Sequence, residues 1–281
     1  MNTFQKVIKY AAMTLAILLT IGIISGIVGL VIHVVAAFSD TEEYMKDARI
    51  DFVKEFDDVE QLYVKNGIGK LTIKSGDSLK VEGRNVSKNF KATVKNGTLI
   101  VEEEDYIRKF LWFEIGRPKS RSTITVYIPH DFTAGKIEVE SGAGEVVLED
   151  FSAEKLVIDA GVGNIYGQNI TAQAVKGSGG VGDITFYDVN LSNIDFDSGV
   201  GNLKIEGIIS GNSEFDCGVG NIKLTIKGNR EDYAIRCNSG VGSIRVNGEK
   251  VSSDYKDSYS SAAHSINIDG GVGNVNIDFI D

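Results

Sequence analysis

The sequence predicts an all-β fold: a parallel β-solenoid of about 19 residues per rung, preceded by an N-terminal transmembrane helix. Three observations predict it. The phrase Gly-Val-Gly-Asn recurs at Gly161, Gly199, Gly218 and Gly271, with variants at Gly142, Gly180 and Gly240 and a more distant one at Gly67. From Gly142 to Gly218 the step is 19 residues each time, then 22 and 31. A fixed period with later insertions marks stacked repeats. Between the glycines, apolar residues alternate by two, the period of a strand with one buried face. The third observation is a long apolar run, Ala11 to Phe38.

Aligning the repeats on the first glycine gives columns. Four residues on stand Val146, Ile165, Ile184, Leu203, Ile222, Ile244 and Val275. Three residues before the glycine stand Ile158, Gly177, Phe196, Phe215, Cys237 and Ile268. Stacked rungs sit about 4.8 Å apart, so like residues pile on like. The Gly-Val-Gly is read as the tight corner, with its Val pointing into the core. The residue after it (Glu145, Asn164, Asp183, Asn202, Asn221, Ser243, Asn274) is read as a structural ladder of stacked amides.

The apolar run exceeds the roughly 20 residues that span a bilayer. Lys6 and Lys9 precede it, and Asp40, Glu42 and Glu43 follow, so the positive-inside rule places the N-terminus in the cytoplasm and the rest outside. Cleavage after Val35-Ala36-Ala37 is the alternative. The expected organisation is a cytoplasmic segment 1–9, a signal anchor 10–38 in the cell membrane, a partly helical stalk 39–56, an N-terminal β region 57–141 and regular repeats 142–281.

In the β region, runs at Leu62–Ile73, Leu79–Glu82, Leu99–Glu102, Thr123–Ile128 and Ile137–Glu140 read as strands, with Asn66-Gly67 a turn signal between two runs. Two stretches break the rhythm. Tyr106 to Ile115 carries the only Trp, and Arg117, Lys119 and Arg121 follow it. This basic, aromatic excursion either plugs one end of the stack or binds a partner through Arg108, Phe110, Trp112 and Phe113. The Ser/Tyr/Asp-rich insertion between Gly248 and His264 offers Tyr255 and Tyr259 for binding, or is simply a tolerated insertion.

The formal net charge is −10, and the chain beyond the apolar run is more acidic still, which argues against a nucleic-acid partner. Asp195 and Asp197 flank Phe196, and one period on Glu214 and Asp216 flank Phe215. Stacking makes a square of four carboxylates. It is either neutralised by a salt-bridge ladder continued by Lys176 and Arg236, or it binds calcium, whose hard oxygen ligands it offers. No other cofactor is expected. Cys217 and Cys237 read as small core residues on neighbouring rungs, with a disulfide as the alternative. No nucleophile motif or histidine constellation is present, so no enzymatic activity is expected.

The strand pair around Leu62–Ile73, the segment Ile124-Thr125-Val126-Tyr127-Ile128-Pro129 and the Gly-Val-Gly-Asn repeats together resemble the bacterial putative-adhesin family of β-strand-repeat proteins, over roughly residues 50–281. That family has no assigned catalytic residues. The resemblance implies a membrane-anchored extracellular binding or scaffolding module of the cell envelope, with an envelope protein or glycan as partner. An accessory role in envelope-stress signalling is the alternative, and a polysaccharide-acting β-helix enzyme a remoter one.

Overall fold

The computed structural model describes residues 49–103, 122–259 and 262–280. The segment expected to cross the membrane and the excursion holding Arg108, Phe110, Trp112 and Phe113 lie outside these residues. Among the described residues, no helix is long and apolar enough to cross a membrane.

The strands begin with β1 (Arg49–Glu55), β2 (Gln61–Gly76), β3 (Lys80–Ser87), β4 (Lys91–Lys95), β5 (Thr98–Glu102) and β6 (Ser122–Pro129). Then come β7 (Thr133–Val162), β8 (Ile165–Val181), β9 (Ile184–Ser192), β10 (Ile194–Val200), β11 (Leu203–Ser210), β12 (Asn212–Val219) and β13 (Ile222–Lys227). A short 3-10 turn, Arg230–Asp232, leads to β14 (Tyr233–Val241), β15 (Ile244–Val246), β16 (Glu249–Val251), β17 (Asp254–Asp257), β18 (His264–Val272) and β19 (Val275–Ile280). All belong to one hydrogen-bonded sheet, wound into rungs whose neighbours run parallel. Each rung supplies one strand before the glycine corner and one after it. The sequence columns are the observed registers: Phe196 stacks on Phe215, Leu203 on Ile222 and Ile205 on Leu224.

The alternating residues fill a continuous interior, with Leu62, Leu71, Leu148, Phe186, Phe196 and Phe215 all essentially inaccessible. At two places a ring lies over a rung that lacks a side chain. A Cβ on Gly177 would lie 2.0 Å from the Phe196 ring, and one on Gly167 would lie 2.2 Å from Phe186. These pairs are how a column of constant width accepts aromatic residues at interior packing density.

Three expectations change. The valine of Gly-Val-Gly faces outward: Val162 is 46% exposed, Val181 39% and Val272 36%. The corner turns so tightly that the middle residue stands on its convex side, while the core is filled by residues three before and four after the first glycine. The Asn66-Gly67 pair is no hairpin; it lies inside β2 as the first stacked corner, with Ile68 paired to Ala143. Arg49–Glu55, inside the stretch 39–56 expected to be a partly helical stalk, is a strand antiparallel to β3.

Rung order also departs from chain order. The last rung, β18–β19, inserts between β12–β13 and β14–β15, pairing in parallel with both. The cause is the turn at Asn247 (φ 49°) and Gly248 (φ 79°). Two consecutive residues with positive φ make a tight hairpin, which folds β16 antiparallel onto β15, and β17 follows onto β14. The outer edge of that rung is then occupied, so the remaining rung stacks on its inner side. Asn96 (φ 49°) and Gly97 (φ 73°) do the same at the other end, folding β4 onto β5. Both ends of the stack are thus closed by antiparallel strands, which removes open parallel edges.

The corner glycines set the sharpest test of this fold. A Cβ on Gly220, at φ +154°, would lie 1.7 Å from the Gly201 carbonyl oxygen, whereas one on Gly248 would meet nothing within 4 Å. Gly220→Ala is expected to cost about 3 kcal/mol or more, and Gly248→Ala, which meets only backbone strain, about 1 kcal/mol. Urea unfolding of the two variants checks the difference.

Candidate functional site

The corner edge of the solenoid carries three parallel columns. The central one is the outward aliphatic row. In spatial order Val162, Val181, Val200, Val219, Val272 and Val241 are paired in register. Ile68, 37% exposed, stands at the head of the edge.

On one side runs the amide ladder, as the sequence predicts. The Oδ1 of each residue accepts the backbone N–H of the next: Asn164 from Asp183 (3.0 Å), Asp183 from Asn202 (2.8 Å), Asn202 from Asn221 (3.1 Å), Asn221 from Asn274 (3.0 Å) and Asn274 from Ser243 (3.1 Å). Asn202, Asn221 and Asn274 also donate their side-chain amides down the column. These five backbone N–H groups thereby find acceptors, so this column is consumed by structure.

On the other side lies a column of carboxylates. Asp195 stacks on Glu214 and Asp197 on Asp216, so the expected square is assembled. Its surroundings differ from the expectation. Lys176 pairs with Asp195 at 3.3 Å. Arg236 does not reach Glu214, because the inserted rung places Asn267 between them. The same insertion stacks Asp269 on Asp216. Three aspartates, 197, 216 and 269, therefore follow one another, while Asp159 sits two rungs from Asp197 with Ser178 between. Asp269 was legible in the sequence, standing two residues before Gly271 as Asp216 stands two before Gly218; only its rung position was hidden.

Among the described residues, no ion pair reaches Asp197, Glu214, Asp216 or Asp269. Ser178 donates to Asp159 at 2.8 Å and Asn238 to Asp269 at 2.9 Å. One carboxylate oxygen of Asp216 is buried without a hydrogen-bond partner. Burial first, then the negative charges of Asp197, Asp269, Glu214 and Asp195, hold the Asp216 carboxyl above the usual carboxylate range. The carboxylates run along the strands without converging on a point. Among the described residues, no group of three or more His, Cys, Asp or Glu side chains is arranged to hold a metal ion.

Between this column and the aliphatic row, a groove of about 850 Å³ runs across five rungs. Its acidic wall is Asp159, Asp197, Asp216 and Asp269, and its outward floor is the glycine column Gly161, Gly180, Gly199, Gly218 and Gly271, while Ala160, Ser198 and Cys217 between wall and floor turn into the core. The groove exists because the floor residues lack side chains.

The other candidates serve the frame. Cys217 and Cys237 are free and buried. They are two rungs apart, not neighbours: Cys217 stacks on Gly270 and Cys237 on Ile268 of the rung between. Burial pushes the Cys237 thiol up to about 12. Tyr255 lies in the capping strand β17, opposite Cys237, and its hydroxyl donates to Asp257 at 3.0 Å. Arg230 pairs with Asp257 at 2.6 Å and stacks on the rings of Tyr259 and Phe279. His264 accepts the Gly211 N–H at 3.2 Å and packs on Tyr233. His130 sits 2.7 Å from the Ser75 hydroxyl, on an exposed turn outside the groove.

One polar cluster went unread in the sequence. Lys65 pairs with Glu102 and Gly69 with Ser122, so the described residues on either side of 104–121 stand next to the first glycine corner. The two flanking residues are joined: Ser122 Oγ donates to Glu103 at 2.6 Å. The Glu103 carboxylate, only 6% exposed, also accepts from Arg49 (3.2 Å) and from the Ser87 backbone N–H (3.2 Å). One Glu inside the acidic run 102–105 gives no sign of this in the sequence.

The stacked aspartates give a signed pH prediction. Asp216 in the folded chain holds its proton to higher pH than it does unfolded. Protonation therefore favours the fold, and this contribution is lost as pH rises through the folded-state value. Asp216→Asn should raise Tm at neutral pH by about 2 °C and flatten its fall from mildly acidic to neutral pH. Calcium or a chelator should leave Tm unchanged in both proteins. Thermal melts across pH, with and without chelator, check both statements.

A solved structure of a putative cell adhesion protein from Clostridium sporogenes ATCC 15579 is 21% identical over 83% of this chain and 100% of that one, with a TM-score of 0.34. A putative adhesin from Bacteroides fragilis NCTC 9343 is 14% identical over 82% and 96% of the two chains, with a TM-score of 0.39. A putative adhesin from Parabacteroides distasonis ATCC 8503 is 12% identical over 84% and 98%, with a TM-score of 0.27. No curated protein matches. The model of the Toastrack DUF4097 family matches residues 59–270, and the chain belongs to that family.

Proposed function

We propose that the chain is a non-catalytic binding module of the bacterial cell envelope, anchored in the membrane through residues 10–38 with the solenoid outside. The observation that carries this reading is the corner edge. A rigid, in-register stack leaves an aliphatic row exposed beside an acidic groove, and the described histidines are engaged in turn and rung contacts. Large exposed apolar patches rimmed by polar groups mark interaction surfaces. The sequence before Arg49 supports the anchor by its length, apolarity and flanking charge.

The partner on this reading is an envelope protein or glycan. The excursion residues Arg108, Phe110, Trp112 and Phe113, and Tyr259 with Tyr255 at the far cap, are the further contact candidates, since aromatic and Arg side chains dominate binding energy where they are used.

Photo-crosslinkers placed at Trp112, Tyr259 and Val181 of the full chain on intact cells are expected to capture a discrete envelope component from at least one position. Absence of any adduct from all three positions, or turnover of cell-wall polysaccharide by the purified full chain, defeats the proposal.

A further inference from the structure

We propose that the corner edge docks a basic polypeptide segment in a polyproline-type extended conformation, running parallel to the solenoid axis. The inference rests on the binding-module reading and gives that site its ligand chemistry. Two features of the edge carry it, the exposed aliphatic row and the charge of the groove beside it.

On the rungs of Asp159, Asp197, Asp216 and Asp269 the valine stands three residues after the carboxylate, with only a glycine and a small residue between. A lysine or arginine side chain matches this cross-section, because its stem is apolar and its head is cationic. The stem lies along Val162, Val181 or Val200, and the head reaches Asp159, Asp197 or Asp269. A neutral glycan would leave the carboxylate row without a counter-charge, and the valines offer no aromatic platform for a sugar face. The unpartnered buried oxygen of Asp216 lies in the same groove.

The spacing selects the conformation. Asp159, Asp197 and Asp269 recur at two-rung intervals. Two rungs span about 9.6 Å. A polyproline-type chain rises about 3.1 Å per residue with three residues per turn, so every third side chain points the same way after about 9.3 Å. Cations at every third residue therefore keep step with the three aspartates. A β-strand, at about 6.6 Å per same-face pair, does not. A preformed extended segment also loses little entropy on docking.

The test uses the full chain in detergent micelles and a fluorescent peptide repeating Lys-Pro-Pro. Anisotropy is expected to show saturable binding that weakens as salt rises. Asp197→Asn with Asp269→Asn should weaken it about tenfold, near 1.4 kcal/mol, and Val181→Ser with Val200→Ser by a similar factor. Melting curves verify that the variants are folded; all four positions lie on the solvent side or only half-buried. Equal binding of a Lys-Pro repeat, equal binding by both variants, or tighter binding of a glucosamine oligomer overturns the inference. So does a dimer of the chain that the same substitutions dissociate. If the peptide is ignored while photo-crosslinking still captures an envelope component, this inference fails and the binding-module reading stands.

Discussion

The structure depends on the approach of one corner to the next. At each Gly-Val-Gly, the second glycine sits with φ between +139° and +154° and its Cα faces the carbonyl of the rung below. An added Cβ would fall 1.6 to 2.0 Å from that oxygen at Gly163, Gly182, Gly201, Gly220, Gly242 and Gly273. No side chain fits there. Because the corners can close only in one register, every strand leaving a corner begins in phase with its neighbour. The columns of the core, the amide ladder and the surface rows all inherit that phase.

In-register stacking has a double effect. Inside, it repeats a good packing choice, and Gly177 beneath Phe196 shows how a local exception is absorbed without shifting the register. Outside, it repeats whatever the surface carries, good or bad. Amides gain, since each Asn can accept from the rung above and donate to the rung below. Valines on the convex side of the corner shield one another only in part and remain partly in water. The cost of leaving such residues exposed is borne by the unbound chain.

Most of the frame was legible in the residues. Alternation by two and a step of 19 identify strands, corners and the inward positions, and the amide ladder follows from the column after Gly-Val-Gly. What was not legible has physical reasons. The orientation of the corner valine depends on how sharply the chain turns between the two glycines, and an apolar residue in a repeat suggests burial by default. The swapped last rung depends on Asn247-Gly248, whose two-residue hairpin seals an edge before the chain has finished; periodicity carries no such information. The misplacement of Cys237 beside Cys217 and of Arg236 beside Glu214 both descend from that one turn. Glu103 is buried by strands distant in sequence, so its partners Arg49 and Ser122 could be found only in three dimensions.

Like charges on successive rungs repel at roughly the strand spacing, and a stack with no use for them has easy remedies. This chain applies those remedies elsewhere along the same columns. Lys176 answers Asp195, and Ser178 separates Asp159 from Asp197. At Asp197, Asp216 and Asp269 no remedy is used, although a Ser or Asn in the middle position would remove the repulsion without disturbing the backbone. The uncompensated run lies in a groove floored by the corner glycines, and the exposed valines are the next residues in the chain. Stability would be served by neither feature, and their coincidence on the corner edge is the physical reason to look for recognition there first, since at the far cap Tyr255, Arg230 and His264 also serve to close the stack.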